Sequence, residues 1–71
     1  MSHAQALQDL QEADRNIAEA EQRVVDQTAH IASLQRNGRD TANSRELLHL
    51  FENTLALLRN RRAALLRVVW D

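Results

Sequence analysis

The first half of the chain repeats a heptad pattern of apolar and small side chains. One series consists of Leu10, Ile17, Val24 and Ile31, and the other of Ala6, Ala13, Ala20, Gln27 and Leu34. Residues spaced alternately three and four apart lie on one side of an α-helix. Ser2 is a favourable helix N-cap with Gln5 as its capping-box partner. The pattern therefore predicts a first helix over residues 3–37.

The second half carries the same spacing. Its two series are Phe51, Leu58 and Leu65, and Leu47, Thr54, Arg61 and Val68. They predict a second helix over residues 41–69, with Asp40 or Thr41 as its N-cap. Gly38 is the only glycine, and it suits the left-handed position just beyond a helix end. We therefore predict an all-α fold in which residues 1–71 form one antiparallel two-helix hairpin, coiled-coil-like, with a turn at 38–40.

Folding the hairpin at this turn brings small side chains against large ones. Such alternation lets two helices approach each other closely. The predicted facing pairs are Ala20 with Leu58, Ala13 with Leu65, and Gln27 with Phe51.

The second helix has a wider apolar face than the first. Its heptad series is flanked on one side by Leu48, Leu55 and Val69 and on the other by Leu50, Leu57 and Ala64. The apolar arc spans about 180°, and one partner helix cannot cover it. We therefore predict a homodimer or higher oligomer, joined through the second helix into a four-helix bundle. The predicted interface residues are Leu47, Leu48, Leu50, Phe51, Leu55, Leu57, Leu58, Leu65 and Val69.

Composition excludes several classes of protein. The chain has 71 residues, no cysteine, no proline and a formal net charge of -1. A disulfide scaffold is excluded, and there is no general attraction to nucleic acid or acidic lipid. No apolar stretch is long enough to span a membrane and the N-terminus does not resemble a signal peptide, so we expect a cytoplasmic protein. All basic residues are arginine, a bias typical of GC-rich bacterial genomes.

A set of motif residues lies across the turn. It consists of Gly38, Asp40, Thr41, Leu47, Leu48, Phe51, Glu52 and Leu55, within the pattern I-x-x-L, G-x-D-T and L-L-x-x-F-E-x-x-L. Over residues 27–62 the chain resembles small helical-hairpin proteins of rhizobial-type α-proteobacteria. No function is established for that family, so the resemblance implies the hairpin and no activity.

An arginine cluster near the end of the second helix allows two interpretations. The cluster consists of Arg59, Arg61, Arg62 and Arg67. It could contact RNA or DNA, but at about 100° per residue the four side chains wrap around the helix and form no single stripe. Residues 1–36 carry six acidic and three basic side chains, so we favour charge pairing between the helices. In particular, we predict that Arg62 pairs with Asp14.

Candidate chemistry is sparse. Glu46 and His49 form an E-x-x-H pair of the kind found in di-iron bundles, and His30 falls near His49 in the predicted hairpin. No facing glutamate completes such a site. No hydroxyl side chain has an acid–base pair arranged around it, and one glycine is too few for a phosphate-binding loop. We expect no catalytic residue, no cofactor and no metal.

Two classes of function fit these observations. The first is a non-catalytic structural or protein-interaction module whose partner is a second copy or another helical protein. The second is a small dimeric RNA-binding regulator that uses the region from Arg59 to Arg67. Trp70 could anchor a partner in either class, but we expect it to pack back over Leu7 and Leu66.

Overall fold

The computed structural model of the protein describes residues 2–70 and contains two α-helices. Helix α1 spans His3–Arg36 and helix α2 spans Ala42–Trp70. The two pack side by side as an antiparallel hairpin with overall dimensions of 53 × 14 × 13 Å. The predicted all-α hairpin is confirmed. The observed helix bounds differ from the predicted ones by one residue at the end of α1 and at both ends of α2.

Ser2 caps the start of α1, as predicted. Its hydroxyl oxygen accepts a hydrogen bond from the backbone N–H of Gln5 at 3.1 Å. The side chain of Gln5 donates to Asp9 Oδ1 at 2.9 Å, one turn further along the helix. In a capping box the Gln5 side-chain oxygen would also accept from the Ser2 backbone N–H, and no such return bond is seen among residues 2–70. The first turn of α1 has one side-chain cap.

Gly38 ends α1 in the left-handed conformation, with φ at +67°. The backbone N–H of Arg39 donates to the Leu34 carbonyl at 2.9 Å, and that of Gly38 donates to the Gln35 carbonyl at 3.1 Å. These two bonds form a Schellman motif, which satisfies carbonyl groups that the end of a helix leaves free. The chain reverses direction here because a glycine adopts positive φ without a steric penalty.

Both residues predicted to cap α2 accept hydrogen bonds at its start. Asp40 Oδ1 accepts from the Ala42 backbone N–H at 3.0 Å. The Thr41 carbonyl accepts the first helical bond, from the Arg45 N–H at 2.9 Å, and the Thr41 hydroxyl accepts from Arg45 Nε, also at 2.9 Å. Asp40 therefore satisfies a backbone donor while Thr41 occupies the N-cap position.

The predicted heptad series of α1 faces α2. The buried residues of α1 are Ala6, Ala13, Ala20 and Ile31. Three of these four are alanines of a single series, so the backbones of the two helices approach closely along this line. Gln27, the polar member of the same series, reaches across the interface and donates from Nε2 to the Ser44 carbonyl at 2.8 Å.

The side of α2 that faces α1 differs from the predicted side. Its buried residues are Leu55 and Leu65, and its half-buried residues are Ser44, Leu48, Phe51, Leu58, Arg62, Leu66 and Val69. The predicted series Leu47, Thr54, Arg61 and Val68 is exposed. Its assignment to the hairpin interface is therefore wrong, and the flank that contains Leu55 takes its place.

The polarity of the two competing series explains this rotation of α2. The predicted series would bury both Thr54 and Arg61, whereas the observed one half-buries a single charged residue, Arg62. Arg62 Nε donates to Asp14 Oδ1 at 2.5 Å, so its charge is paired. Burying a polar or charged group without a partner is unfavourable, and the observed orientation avoids it.

The predicted packing of Trp70 over Leu7 and Leu66 is also wrong. Trp70 is 81% exposed and Leu7 is 44% exposed. Trp70 lies one helical turn beyond the half-buried Leu66, at the border of the hairpin interface, and its side chain stays in water. Within the described residues, neither helix combines the length and the apolar character needed to cross a membrane.

Candidate interaction surface

A stripe of mostly apolar side chains runs along the exposed side of α2. We call it the exposed stripe, and its members are Leu47, Leu50, Thr54, Leu57, Arg61, Ala64 and Val68. They are spaced alternately three and four residues apart, which is the spacing of a coiled-coil seam. Helix α2 therefore carries two seams, one occupied by α1 and one exposed.

The two seams of α2 point in different directions. From the helical repeat, the exposed stripe is centred about 100° around α2 from the residues that face α1. The stripe is about 32 Å long, from the helical rise between its first and last residues. Leu57, at its middle, is 70% exposed and Leu50 is 57% exposed. A second helix would fit along this side without displacing α1.

Two polar residues interrupt the exposed stripe. The Thr54 hydroxyl donates to the Leu50 carbonyl at 3.0 Å, within its own turn of helix. Arg61 lines a shallow groove between the helices together with Asp9, Glu12 and Asn16, yet it makes no ion pair with any residue in 2–70. Among the described residues, the guanidinium of Arg61 therefore lies near carboxylates of α1 without forming an ion pair with them.

The nine residues predicted to form the oligomer interface fall into two groups. Leu48, Phe51, Leu55, Leu58, Leu65 and Val69 are buried or half-buried. They lie against α1, so they have little surface left for a second copy. Leu47, Leu50 and Leu57 are exposed. Helix α2 has two apolar flanks, and α1 can cover only one of them. The flank of Leu50 and Leu57 is the one that remains exposed.

Thr54, Arg61 and Val68 belong to the exposed stripe, although the heptad pattern predicts them in the hairpin interface. A usable signal was present in the sequence. The series that contains Thr54 and Arg61 has two polar members, whereas the series of Leu48, Leu55 and Val69 has only Arg62. The less polar series is the better candidate for the interface inside one chain, which leaves the other series exposed.

Two members of the arginine cluster form ion pairs with α1, and the other two form none among the described residues. Arg59 Nη2 lies 3.3 Å from Glu21 Oε2 and Arg62 Nε lies 2.5 Å from Asp14 Oδ1. The predicted pair of Arg62 with Asp14 is confirmed. Arg61 belongs to the exposed stripe, and Arg67 lies on the side of α2 away from α1. The four side chains do not form one continuous basic surface.

The residues considered for metal binding lie apart from one another. His30, Glu46 and His49 are all exposed. His49 Nδ1 lies 3.7 Å from Glu52 Oε1, one helical turn further along. Among the described residues, no three His, Asp or Glu side chains come close enough together to hold a metal ion.

The exposed stripe is thus the feature of the described chain that is best suited to binding another molecule. Its shape, a straight line of apolar side chains on a rigid helix, suits a second helix as a partner. The resemblance to rhizobial helical-hairpin proteins stays a prediction. Comparison with protein-family models, with curated proteins and with solved structures found no match to this chain.

Proposed function

We propose that this protein is a non-catalytic interaction module that self-associates through the exposed stripe of α2, so that two hairpins form a coiled-coil-like four-helix bundle in the cytoplasm. The observation that carries the proposal is the second heptad seam on α2, apolar at five of its seven positions and exposed along its whole length. A monomer gains nothing from this pattern, since polar side chains would serve equally well in water.

The total surface of the hairpin supports the proposal. The chain exposes 5410 Å² for a mass of 8.1 kDa, whereas a compact monomer of this mass exposes roughly 4,500 Å². Small domains without disulfides or metals commonly obtain the missing burial by association. Each fully buried leucine contributes roughly 1.5–3 kcal/mol, so covering the exposed stripe would be a large gain for so small a core.

Sedimentation equilibrium at micromolar concentration tests this proposal. We expect about twice the chain mass of 8.1 kDa. Leu57→Glu should shift the protein to the monomer, because it places two carboxylates in the dimer interface. Val25→Glu is the matched control: Val25 is 59% exposed and lies on α1, outside the stripe. A dimer that survives both substitutions, or a wild-type chain that sediments as a folded monomer, overturns the proposal.

The RNA-binding alternative has less support. Two of the four arginines are engaged with carboxylates, Arg59 with Glu21 and Arg62 with Asp14. The surface beside them on α1 is acidic, which repels phosphate. A mobility-shift experiment with bulk cellular RNA at low salt tests this alternative. We expect no shift, and a salt-dependent shift lost in Arg61→Ala and Arg67→Ala variants would favour the regulator over the interaction module.

A further inference from the structure

We infer that two copies of this chain dock with their α2 helices antiparallel, about a two-fold axis that passes beside Leu57. This inference rests on the proposed self-association and adds its orientation, register and specificity residues. Leu57 is the middle position of the exposed stripe, with three stripe residues on either side. A two-fold axis at this point uses the full length of both stripes, whereas an axis elsewhere would leave apolar stripe residues unpaired at one end.

The apolar members of the stripe fit together in this register. Leu57 meets the partner's Leu57 on the axis, and Leu50 lies level with the partner's Ala64. Leu47, near one end, lies level with the partner's Val68 at the other. A large side chain therefore meets a small one on each side of the central leucines, as occurs where the buried alanines of α1 face α2. Such alternation lets helices approach closely.

The polar members of the stripe select the antiparallel orientation. In the inferred register Thr54 lies level with the partner's Arg61. The Thr54 hydroxyl donates its proton to the Leu50 carbonyl, so its oxygen remains free to accept from a guanidinium. A parallel pair would instead bring the two Arg61 side chains to the same level, and like charges in close contact disfavour that arrangement.

Charges on the outer edge of the stripe favour the same orientation. Glu46 and Arg67 lie near opposite ends of α2, on the edge of the stripe that is away from α1, and both are exposed. The antiparallel register brings Glu46 level with the partner's Arg67, and the two-fold axis repeats this pair at the other end. A parallel register would place Glu46 beside the partner's Glu46. The charges on two copies of the chain therefore complement each other only in the antiparallel orientation.

The absence of cysteine from the chain makes disulfide trapping a direct test. Residues on the two-fold axis can cross-link to themselves, because their Cα atoms come within the few ångströms that a disulfide spans. We expect Leu57→Cys to form a disulfide-linked dimer in air. We expect Leu50→Cys alone and Ala64→Cys alone to stay unlinked, while an equal mixture of these two variants should give the mixed disulfide.

A distance measurement that leaves the stripe intact provides the second readout. Asn43 is exposed at the start of α2. Spin labels on Asn43→Cys should lie about 42 Å apart in an antiparallel dimer, from the helical rise. In a parallel dimer they would lie about 10 Å apart, the usual spacing of packed helices.

The outcomes separate the orientation from the self-association itself. Efficient linking of Leu50→Cys alone, or a short Asn43 distance, overturns the antiparallel register while the dimer stands. Linking at none of the three positions in a chain that still sediments as a dimer places the interface on a different face, which also overturns the inference. A reduced chain that sediments as a monomer overturns the proposed function as well.

Discussion

Arg62 Nε lies 2.5 Å from Asp14 Oδ1, an ion pair that joins the C-terminal half of α2 to the first half of α1. The side chain of Arg62 is 39% exposed and that of Asp14 is 55% exposed. The aliphatic part of Arg62 lies along the hairpin interface and its guanidinium reaches the edge, where water is available. The pair therefore lets α2 place an arginine in the middle of an apolar interface without burying an uncompensated charge.

Removing this ion pair should have a small effect that depends on salt. We expect Asp14→Ala to lower the free energy of unfolding by about 0.2–1 kcal/mol, because both groups are partly exposed. Half a molar salt should remove most of the difference by screening. Urea unfolding followed by circular dichroism, at fixed protein concentration, measures it. Glu19→Ala is the control, since Glu19 is exposed and makes no hydrogen bond or ion pair with a residue in 2–70.

Enlarging a buried alanine of α1 should destabilise the hairpin. Ala20 is 4% exposed and belongs to the buried alanine series of α1. We expect Ala20→Leu to cost about 1–3 kcal/mol, because the added atoms force the helices apart. Ala18→Leu introduces the same side chain at an exposed position of the same helix and should be close to neutral. Equal effects of the two substitutions on urea unfolding would contradict the packing described for Ala20.

The left-handed turn residue should tolerate no side chain without a penalty. We expect Gly38→Ala to lower the free energy of unfolding by roughly 1–2 kcal/mol, the difference between the left-handed and right-handed conformations for a residue with a Cβ. No atom lies within 4 Å of a Cβ added at Gly38, so the penalty comes from the backbone alone. Gly38→Asn should recover part of the loss, since asparagine adopts this conformation more readily. Thermal unfolding of the three proteins ranks them.

Gln27 should be replaceable by leucine but not by alanine. Its Nε2 donates to the Ser44 carbonyl at 2.8 Å from a half-buried position. Gln27→Ala loses both this bond and the contacts of the side chain, so we expect a loss of about 1 kcal/mol. Gln27→Leu keeps the volume and adds apolar contact, and the Ser44 carbonyl still accepts within α2. Urea unfolding should therefore show leucine at least as stable as glutamine, and a large loss would contradict this account.

The helices, the turn and the caps follow from local sequence. Ser2 and Asp40 each bond a backbone N–H within three residues, and Gly38 acts on the two residues beside it and on the last turn of α1. Interactions over so few residues can be inferred without knowledge of the fold, since only the backbone and neighbouring side chains take part. Because the apolar face of α1 is narrow, only one orientation of α1 buries its alanines. The orientation of α1 in the hairpin therefore also follows from the heptad pattern.

The rotation of α2 and the position of the exposed stripe were decided by the tertiary structure. An apolar arc of about 180° allows either flank to meet α1, and the heptad pattern of α2 does not distinguish them. The choice depends on contacts between residues far apart in sequence, which bury Leu55 and Leu65 and pair Arg62 with Asp14. Turning Leu55 inwards necessarily turns Leu57 outwards, because residues two apart on a helix point in nearly opposite directions. The same non-local packing that completes the hairpin therefore creates the surface available to a partner.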